Sequence, residues 1–173
     1  MPDIALTYRD GLIDMDFGDG GTAIDESLRT AVIISLFTDR RAEPDDLLPD
    51  GGTDRRGWWA DIYPQVDADR IGSRLWLLAR EKQLPSVLQR AQAYAAEALQ
   101  WLLDDGLVTE LAVTGAFARS GVIGLIIRLR PVGRTDPVIY RAAVGAASGA
   151  GVAILDESGG AILDEAGQEI WEG

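Results

Sequence analysis

Five carboxylates lie close together in sequence around a central loop, at Asp39, Glu43, Asp45, Asp46 and Asp61. A glycosidase needs two carboxyl groups held roughly 5–9 Å apart across the sugar. Three of the five tryptophans fall in the same stretch and could stack on a sugar ring. The pattern is therefore compatible with a lysozyme-like cell-wall glycosidase that uses Asp39, Glu43 or Asp61. Solvation or ion pairing is the commoner role of acidic loop residues, and that alternative stays open.

Histidine and cysteine are absent from the 173 residues. The chain therefore lacks the commonest general base, and it cannot build a Ser-His-Asp triad or a histidine-ligated zinc site. It also has no thiolate nucleophile and no disulfide framework. Gly18, Asp19, Gly20 and Gly21 match neither a Walker loop nor a dinucleotide fingerprint, and they predict a turn. We therefore expect no cofactor and no metal.

Tryptophan and arginine alternate through residues 38–82. One interpretation is stacking and phosphate contact with a nucleic acid, and another is a carbohydrate-binding module with exposed tryptophans. Packing is a third, because tryptophan buries a large surface and arginine stacks on its face. A protein interface is a fourth, because Trp and Arg dominate interface hot spots. Packing and interface together are favoured, and the candidate interface residues are Arg40, Arg41, Arg56, Trp58, Trp59, Arg74 and Trp76.

The formal net charge is −12, which argues against nucleic acid as a partner. The charge is uneven along the chain. Residues 40–90 hold nine basic and nine acidic residues, whereas residues 151–173 hold six acidic residues and no basic one. Such polarity can direct assembly with charged neighbours, although a solvated surface with an acidic tail explains it equally well. The chain shows no signal-peptide pattern and no apolar run of membrane-spanning length, so we expect no membrane partner.

The first half of the chain predicts a β-hairpin, a helix and a long loop. Asp10 and Gly11 separate two short alternating runs within residues 4–17, a strong hairpin signal. Apolar residues recur at helical spacing over residues 22–37, with Thr22 or Asp25 as the cap. Residues 42–57 are rich in Pro, Asp and Gly and predict a loop longer than most connections.

The second half predicts two helices followed by strands. Residues 69–81 predict a short helix, and residues 85–104 predict a longer one that starts at Pro85 and stops at Gly106. Strands are expected over residues 107–113 and 122–130, with a short third piece at 138–140. The expected fold class is α+β: a mixed or antiparallel sheet packed by about three helices, with a C-terminal β-hairpin extension.

A near repeat ends the chain. Residues 153–160 (AILDESGG) are echoed by residues 161–168 (AILDEAGQ), which predicts a hairpin with Gly159 and Gly160 in the turn. An isolated two-stranded hairpin is marginal in water, so it should dock on its own core or on a partner's sheet edge. We predict a domain over residues 1–140, an Ala/Gly-rich linker over 141–150 and an acidic hairpin tail over 151–173. The candidate interface residues of the tail are Ile154, Leu155, Ile162 and Leu163.

Three sequence blocks together resemble a known family. Residues 36–42 (LFTDRRA), 56–61 (RGWWAD) and 72–78 (GSRLWLL) look like the Mu-type phage tail protein family named after Mu gene product forty-six. The helix end at residues 98–102 (ALQWL) and the following strand pair fit as well, so the resemblance spans about residues 4–140. Better-known small wedge proteins carry a Glu-Pro-Arg loop signature, whereas this chain has Glu43, Pro44 and Asp45.

The resemblance implies a structural role rather than turnover. The family is similar to the small, lysozyme-like baseplate wedge protein of contractile tails. It implies a subunit of the virion baseplate, made in the bacterial host cytoplasm, that binds larger wedge proteins and the tail sheath protein and helps to initiate sheath assembly. The central hub or spike is a further candidate partner. The resemblance also implies that the tail repeat could donate or accept a strand.

Overall fold

The structure is a computed structural model, and it describes residues 3–4, 6–9, 12–15, 17–18, 21–22, 24–25, 28–49, 51–62, 70–79, 81–119, 121–145 and 154–155. The described elements are an N-terminal set of short strand pairs, three α-helices, two 3-10 turns and a four-stranded antiparallel sheet. The α+β prediction is confirmed. Among the described residues, no helix combines the length and the apolar character needed to span a bilayer.

Six short strands open the chain and pair two by two. They are β1 (Asp3–Ile4), β2 (Leu6–Arg9), β3 (Leu12–Met15), β4 (Phe17–Gly18), β5 (Gly21–Thr22) and β6 (Ile24–Asp25). β2 pairs antiparallel with β3, as the hairpin signal predicts, and the predicted turn residues Asp10 and Gly11 lie outside the described residues. β4 pairs with β5, and β1 pairs with β6. Of the predicted turn, Gly18 lies in β4 and Gly21 in β5, and residues 19–20 lie outside the described residues.

The first helix, α1, is shorter than its periodicity predicts. It spans Arg29–Phe37, and Leu28 is its N-cap residue. The predicted start at residue 22 is wrong because Thr22 lies in β5 and Asp25 in β6, where their backbone groups pair across strands. Local apolar spacing cannot detect this competition, since a strand partner is a tertiary feature.

The second predicted helix, over residues 69–81, is wrong except for one 3-10 turn at Leu75–Leu78. Residues 71–73 are instead drawn alongside residues 38–40, through a parallel bridge between Asp39 and Ser73. In the 3-10 turn, residues three apart share a side. Leu75 and Leu78 accordingly enter the main core, while Trp76 and Leu77 form a small second cluster with Ala42.

The third predicted helix is confirmed over its whole length. α2 spans Pro85–Leu99 with Pro85 in its first turn, and α3 spans Trp101–Asp104. Gln100 between them keeps right-handed helical dihedral angles, so the chain scarcely changes direction. The Leu107 N–H donates to the Leu102 carbonyl and the Gly106 N–H to the Leu103 carbonyl, which is the Schellman pattern of a helix end.

The main sheet has the order β10-β9-β8-β7 and is antiparallel throughout. Its strands are β7 (Val108–Arg119), β8 (Val122–Pro131), β9 (Val138–Gly145) and β10 (Ile154–Leu155). One face packs on α1 and α2, and its central residues Leu125, Ile127 and Leu129 are fully buried. The alternation predicted for residues 122–130 is confirmed.

The C-terminal boundary differs from the prediction. β9 continues to Gly145, and Ala142, Ala143 and Val144 are buried. The first five residues of the predicted linker therefore belong to the sheet, because small residues fit a closely packed strand as well as they fit a flexible connection. β10 pairs with β9 through Ile154–Ala142 and Leu155–Arg141. The remaining linker residues and the predicted hairpin turn at Gly159 and Gly160 lie outside the described residues.

Candidate interaction site on the central segment

Two stretches of residues 38–82, which we call the central segment, cross at short range. The Arg40 N–H donates to the Ser73 carbonyl and the Ser73 N–H to the Thr38 carbonyl, both at 2.9 Å. Gly72 sits at the crossing with φ +94°, and a Cβ there would overlap the Thr38 carbonyl oxygen. The glycine of the GSRLWLL block is therefore required by the backbone, because an L-side chain suits neither the dihedral angle nor the space.

A second crossing lies next to the first. The Ala42 N–H donates to the Arg55 carbonyl at 2.9 Å. Gly57 has φ +108°, and a Cβ there would lie 2.7 Å from the Arg41 Cβ. The glycine of the RGWW block thus lets residues 55–57 lie against residues 41–42. The two crossings hold the three family-like sequence blocks together as one unit.

Trp76 lies beneath this unit. Its ring is buried at 4% exposure, and its indole N–H donates to the Arg40 carbonyl at 2.8 Å. The Arg56 guanidinium lies 4.5 Å from the ring centroid, which places a cation over the ring face. The same guanidinium donates to Asp39 at 2.7 Å. Trp76 is therefore a packing residue, and it cannot contact a partner directly while Arg56 covers it.

Arginines fasten the segment to α2. Arg74 pairs with Asp46 at 3.0 Å and with Glu97 at 2.8 Å, and it lies 4.7 Å from the Tyr94 ring centroid. Arg40 reaches the other oxygen of Glu97 at 3.4 Å. Glu97 therefore joins two arginines of the loop segment to the helix.

The surroundings of Arg74 favour its charged form. Burial alone would lower the pKa of Arg74, but hydrogen bonds and charge attraction from Glu97 and Asp46 outweigh burial, so the pKa is raised. A raised pKa in the folded state means that the stabilising contribution is complete at neutral pH. It is lost only in strong alkali, as the pH rises through the raised pKa of Arg74.

The loop carboxylates are engaged with arginines and backbone. Asp39 pairs with Arg56, and Glu43 pairs with Arg70 at 2.6 Å. Arg55 further clamps the loop by donating to the Glu43 carbonyl and, at 2.9 Å, to the Pro44 carbonyl. A guanidinium holds one oxygen of each of these two carboxylates, so the geometry favours ion pairing over the glycosidase interpretation.

The remaining three loop carboxylates differ from one another: Asp45 is exposed to solvent, whereas Asp46 and Asp61 accept hydrogen bonds. Asp46 accepts from Arg74 and from the Glu43 N–H at 2.8 Å. Asp61 accepts from the Ile71 N–H at 3.4 Å through one oxygen, and its other oxygen is buried. Among the described residues, no group of three or more acidic side chains is arranged to hold a metal ion.

Two tryptophans project from the outer side of the unit. Trp59 is 74% exposed and Trp58 is 44% exposed, with ring centroids 5.7 Å apart and ring planes tilted by 53°. Arg41 is also exposed, and its guanidinium reaches only as far as the Arg56 carbonyl, at 3.4 Å. Leu47 in the adjacent loop is exposed as well. Large apolar side chains held open to water in this way are typical of a docking surface.

The structure therefore divides the candidate interface residues of the central segment into two sets. The packing set is Arg40, Arg74, Trp76 and Arg56, which covers Trp76. The exposed set, which faces solvent, is Arg41, Trp58 and Trp59. In the tail, Ile154 and Leu155 form β10, whereas Ile162 and Leu163 lie outside the described residues. Whether the exposed set binds a partner stays a prediction.

Sequence reasoning missed the helix side of the site. Glu97 and Tyr94 receive the loop arginines, yet both lie in a helix that reads as a simple alanine-rich stripe. A signal was available, since Glu97 is a lone acid among alanines and leucine. The arginines of the central segment need carboxylate partners, and that need could have directed attention to Glu97.

Comparison with known proteins identifies the family to which this chain belongs. A sequence model described as phage protein GP46 matches residues 28–135, which cover α1, the central segment, α2, α3, β7 and β8. The chain belongs to this family, and the resemblance found in the three sequence blocks is confirmed.

Two relatives align over most of their length. The chain is 47% identical over 145 residues to baseplate protein gp46 of Escherichia phage Mu, covering 83% of this chain and 97% of that protein. It is 42% identical over 143 residues to Mu-like prophage FluMu protein gp46 of Haemophilus influenzae (strain ATCC 51907 / DSM 11121 / KW20 / Rd), covering 82% and 97%.

Proposed function

We propose that this chain is a structural wedge subunit of a phage tail baseplate. It binds larger wedge proteins, contributes to initiation of the sheath and catalyses no reaction. Its location is the virion baseplate, after synthesis in the host cytoplasm, and the central hub or spike is a further candidate partner. Two facts support the proposal: a relative that aligns over nearly its whole length is named a baseplate protein, and three of the five loop carboxylates (Asp39, Glu43 and Asp46) are engaged in ion pairs.

The exposed tryptophan pair carries the proposal at the residue level. Trp58 and Trp59 directly follow Gly57, and the close approach of Gly57 to Arg41 fixes the position of the backbone from which the two rings project. A rigid aromatic anchor loses little entropy on binding, which is why tryptophan dominates interface hot spots. Trp58, Trp59 and Arg41 would thus form the contact with a larger wedge protein, while Arg74 and Trp76 keep the platform beneath them in place.

The test compares two sets of alanine variants in tail assembly. Trp58→Ala with Trp59→Ala removes the anchor, whereas Leu84→Ala with Phe117→Ala removes exposed apolar side chains elsewhere. We expect the first pair to fold normally but to lose co-purification with the other tail proteins by at least about tenfold, a loss of about 1.4 kcal/mol or more. The second pair should retain it. Equal retention by both pairs would refute the assignment of the docking surface.

The role of the tail in sheath initiation is tested separately. A chain ending at Leu155 keeps β10 on the edge of β9 and removes Ile162 and Leu163. We expect it to join the baseplate but to give fewer sheathed tails in electron micrographs. Normal numbers of sheathed tails would exclude strand exchange through the second half of the repeat.

The glycosidase alternative is tested with purified protein. Clearing of a peptidoglycan suspension that is abolished by Asp61→Asn would overturn the absence of turnover. We expect neither protein to clear the suspension, because the three candidate catalytic carboxylates, Asp39, Glu43 and Asp61, already accept from arginine or backbone donors.

A further inference from the structure

The outer face of the main sheet, turned away from α1 and α2, is basic in a chain that is strongly acidic. In β8 the residues alternate between the faces, so Ile126, Arg128 and Arg130 lie opposite to the buried Leu125, Ile127 and Leu129. The register places Glu110 beside Arg130, and it places Arg141 of β9 beside Ile126. Among the described side chains, the charged residues of this face are Glu110, Arg128, Arg130 and Arg141.

Neutralisation on this face is incomplete. Arg130 pairs with Glu110 at 2.6 Å, and Arg128 reaches the other oxygen of the same carboxylate only at 4.0 Å. No carboxylate of the described residues lies within ion-pair distance of Arg141. Glu110 is therefore shared by Arg130 and Arg128 and leaves Arg141 without an ion pair among the described residues, and Arg128 is 48% exposed.

The two poorly neutralised arginines are close neighbours. Arg128 is directly opposite Ile139, and Arg141 is two residues further along β9, on the same face. Diagonal neighbours of this kind lie roughly 7–8 Å apart. Like charges at that separation repel each other, so an acidic segment laid between them would gain attraction from both and relieve their repulsion.

The chain itself supplies such a segment beside this face. β10 pairs with β9 at Arg141 and Ala142, so residues 156–173 start at the edge of the sheet next to Arg141. These eighteen residues contain no basic side chain. Their six acidic side chains are Asp156, Glu157, Asp164, Glu165, Glu169 and Glu172.

We propose that residues 156–173 fold back over the outer face of the sheet and are held there by Arg128 and Arg141. The distance is easily spanned, because four strands about 4.8 Å apart make a face roughly 15 Å wide. An extended chain of this length reaches several times further at about 3.3 Å per residue. Tethering gives the tail an effective concentration in the millimolar range, so weak charge pairing suffices.

This contact defines what kind of partner the face takes. It binds an acidic, extended segment, and any other protein that offers such a segment must compete with the tail. The proposal depends only on the charges and the strand register, so it stands or falls independently of the baseplate assignment.

The absence of cysteine makes a direct test simple. A spin label on Ala166→Cys in the full chain should broaden the amide resonances of Thr114, Arg128 and Ile139, all exposed and on the outer face. At about 0.05 M salt we expect a loss of about half their intensity or more, given the millimolar effective concentration. At about 0.5 M salt the Debye length is below ~5 Å, and the intensities should recover.

Matched variants separate charge pairing from other contacts. Arg128→Gln with Arg141→Gln should abolish the broadening, whereas Arg41→Gln with Arg134→Gln removes the same charge from other exposed positions and should leave it unchanged. Amide shifts of the core report whether each variant is folded.

Three outcomes would overturn the proposal. They are absence of broadening at low salt, persistence of broadening at high salt, and equal effects of the two double variants. A mixture of spin-labelled protein without isotope enrichment and isotope-enriched protein without a spin label tests whether the tail of one molecule binds the sheet face of another. Broadening of full size in that mixture would show that the face takes the tail of a second molecule instead.

Discussion

Two glycines decide the path of the central segment. Gly72 and Gly57 both have positive φ, and each lies against the backbone or Cβ of a residue far away in sequence. The crossings they permit bring Trp76 under Arg56 and leave Trp58 and Trp59 outside. Single residues without side chains thereby determine which tryptophans are packed and which face solvent.

Gly72→Ala should destabilise the protein by about 2–4 kcal/mol, because strain at positive φ adds to overlap with the Thr38 carbonyl oxygen. The measurement is the free energy of unfolding in urea. Gly51→Ala is the matched control: Gly51 has φ +61°, but a Cβ there meets no atom within 4 Å, so the loss should be about 1–2 kcal/mol. Equal losses would show that the close crossing contributes nothing.

The tryptophans should differ sharply in their effect on stability. Trp76→Ala removes a buried ring and its hydrogen bond to Arg40, and we expect a loss of about 3–5 kcal/mol. Trp59→Ala removes a ring that is mostly in water, and the change should stay within about 0.5 kcal/mol. Chemical denaturation of both variants checks this, and a large loss for Trp59→Ala would place that ring in the core.

At the scale of elements, α2 is the support for the loops. Its alanine face, Ala91, Ala95 and Ala98, is buried against the core and permits a close approach. A different side of the helix presents Tyr94 and Glu97 to the arginines of the central segment. One helix therefore performs two tasks, and the segment needs little regular structure of its own because its arginines are fastened to α2.

Glu97→Gln should cost about 1–2 kcal/mol, because Arg40 and Arg74 both lose a charged partner in a half-buried place. Glu81→Gln is the control: it removes one half-exposed pair with Arg90, which should matter by less than about 0.5 kcal/mol. Unfolding is measured near neutral pH, where Arg74 is fully charged. A smaller loss for Glu97→Gln than for Glu81→Gln would contradict the anchoring role.

The whole molecule is organised around β8. This strand is paired on both sides, by β7 and by β9, and its inward residues are fully buried. The three helices, the 3-10 turn at Leu75–Leu78 and the strands β7, β8 and β9 contribute to one main hydrophobic cluster. Such a strand can exchange its amide hydrogens only when the entire domain opens.

Hydrogen exchange should therefore report global stability through β8. We expect the amides of Leu125, Ile127 and Leu129 to exchange most slowly. Ile127→Val should accelerate them about three- to tenfold, since a lost buried methylene costs about 0.5–1.5 kcal/mol. Loop amides around Asp54 should keep their rate. Exchange of β8 that does not respond to Ile127→Val would mean that the strand opens locally.

Much of the architecture is readable from local pattern. The helix from Pro85, the strand alternation in β8 and the pairing of β2 with β3 each depend on residues near in sequence. The start of α1 and the 3-10 turn at Leu75 were not readable, because strand pairing and the Asp39–Ser73 bridge outweigh local helical spacing there.

The sequence by itself determined the family, the α+β class and the absence of histidine and cysteine chemistry, since these follow from residue types and short-range periodicity. Tertiary structure alone decided that Trp76 is core, that Trp58 and Trp59 are exposed, and that Glu97 joins Arg40 to Arg74. Those outcomes depend on which distant segments cross at Gly72 and Gly57. These contacts join residues that are far apart in sequence, so local spacing along the chain does not predict them.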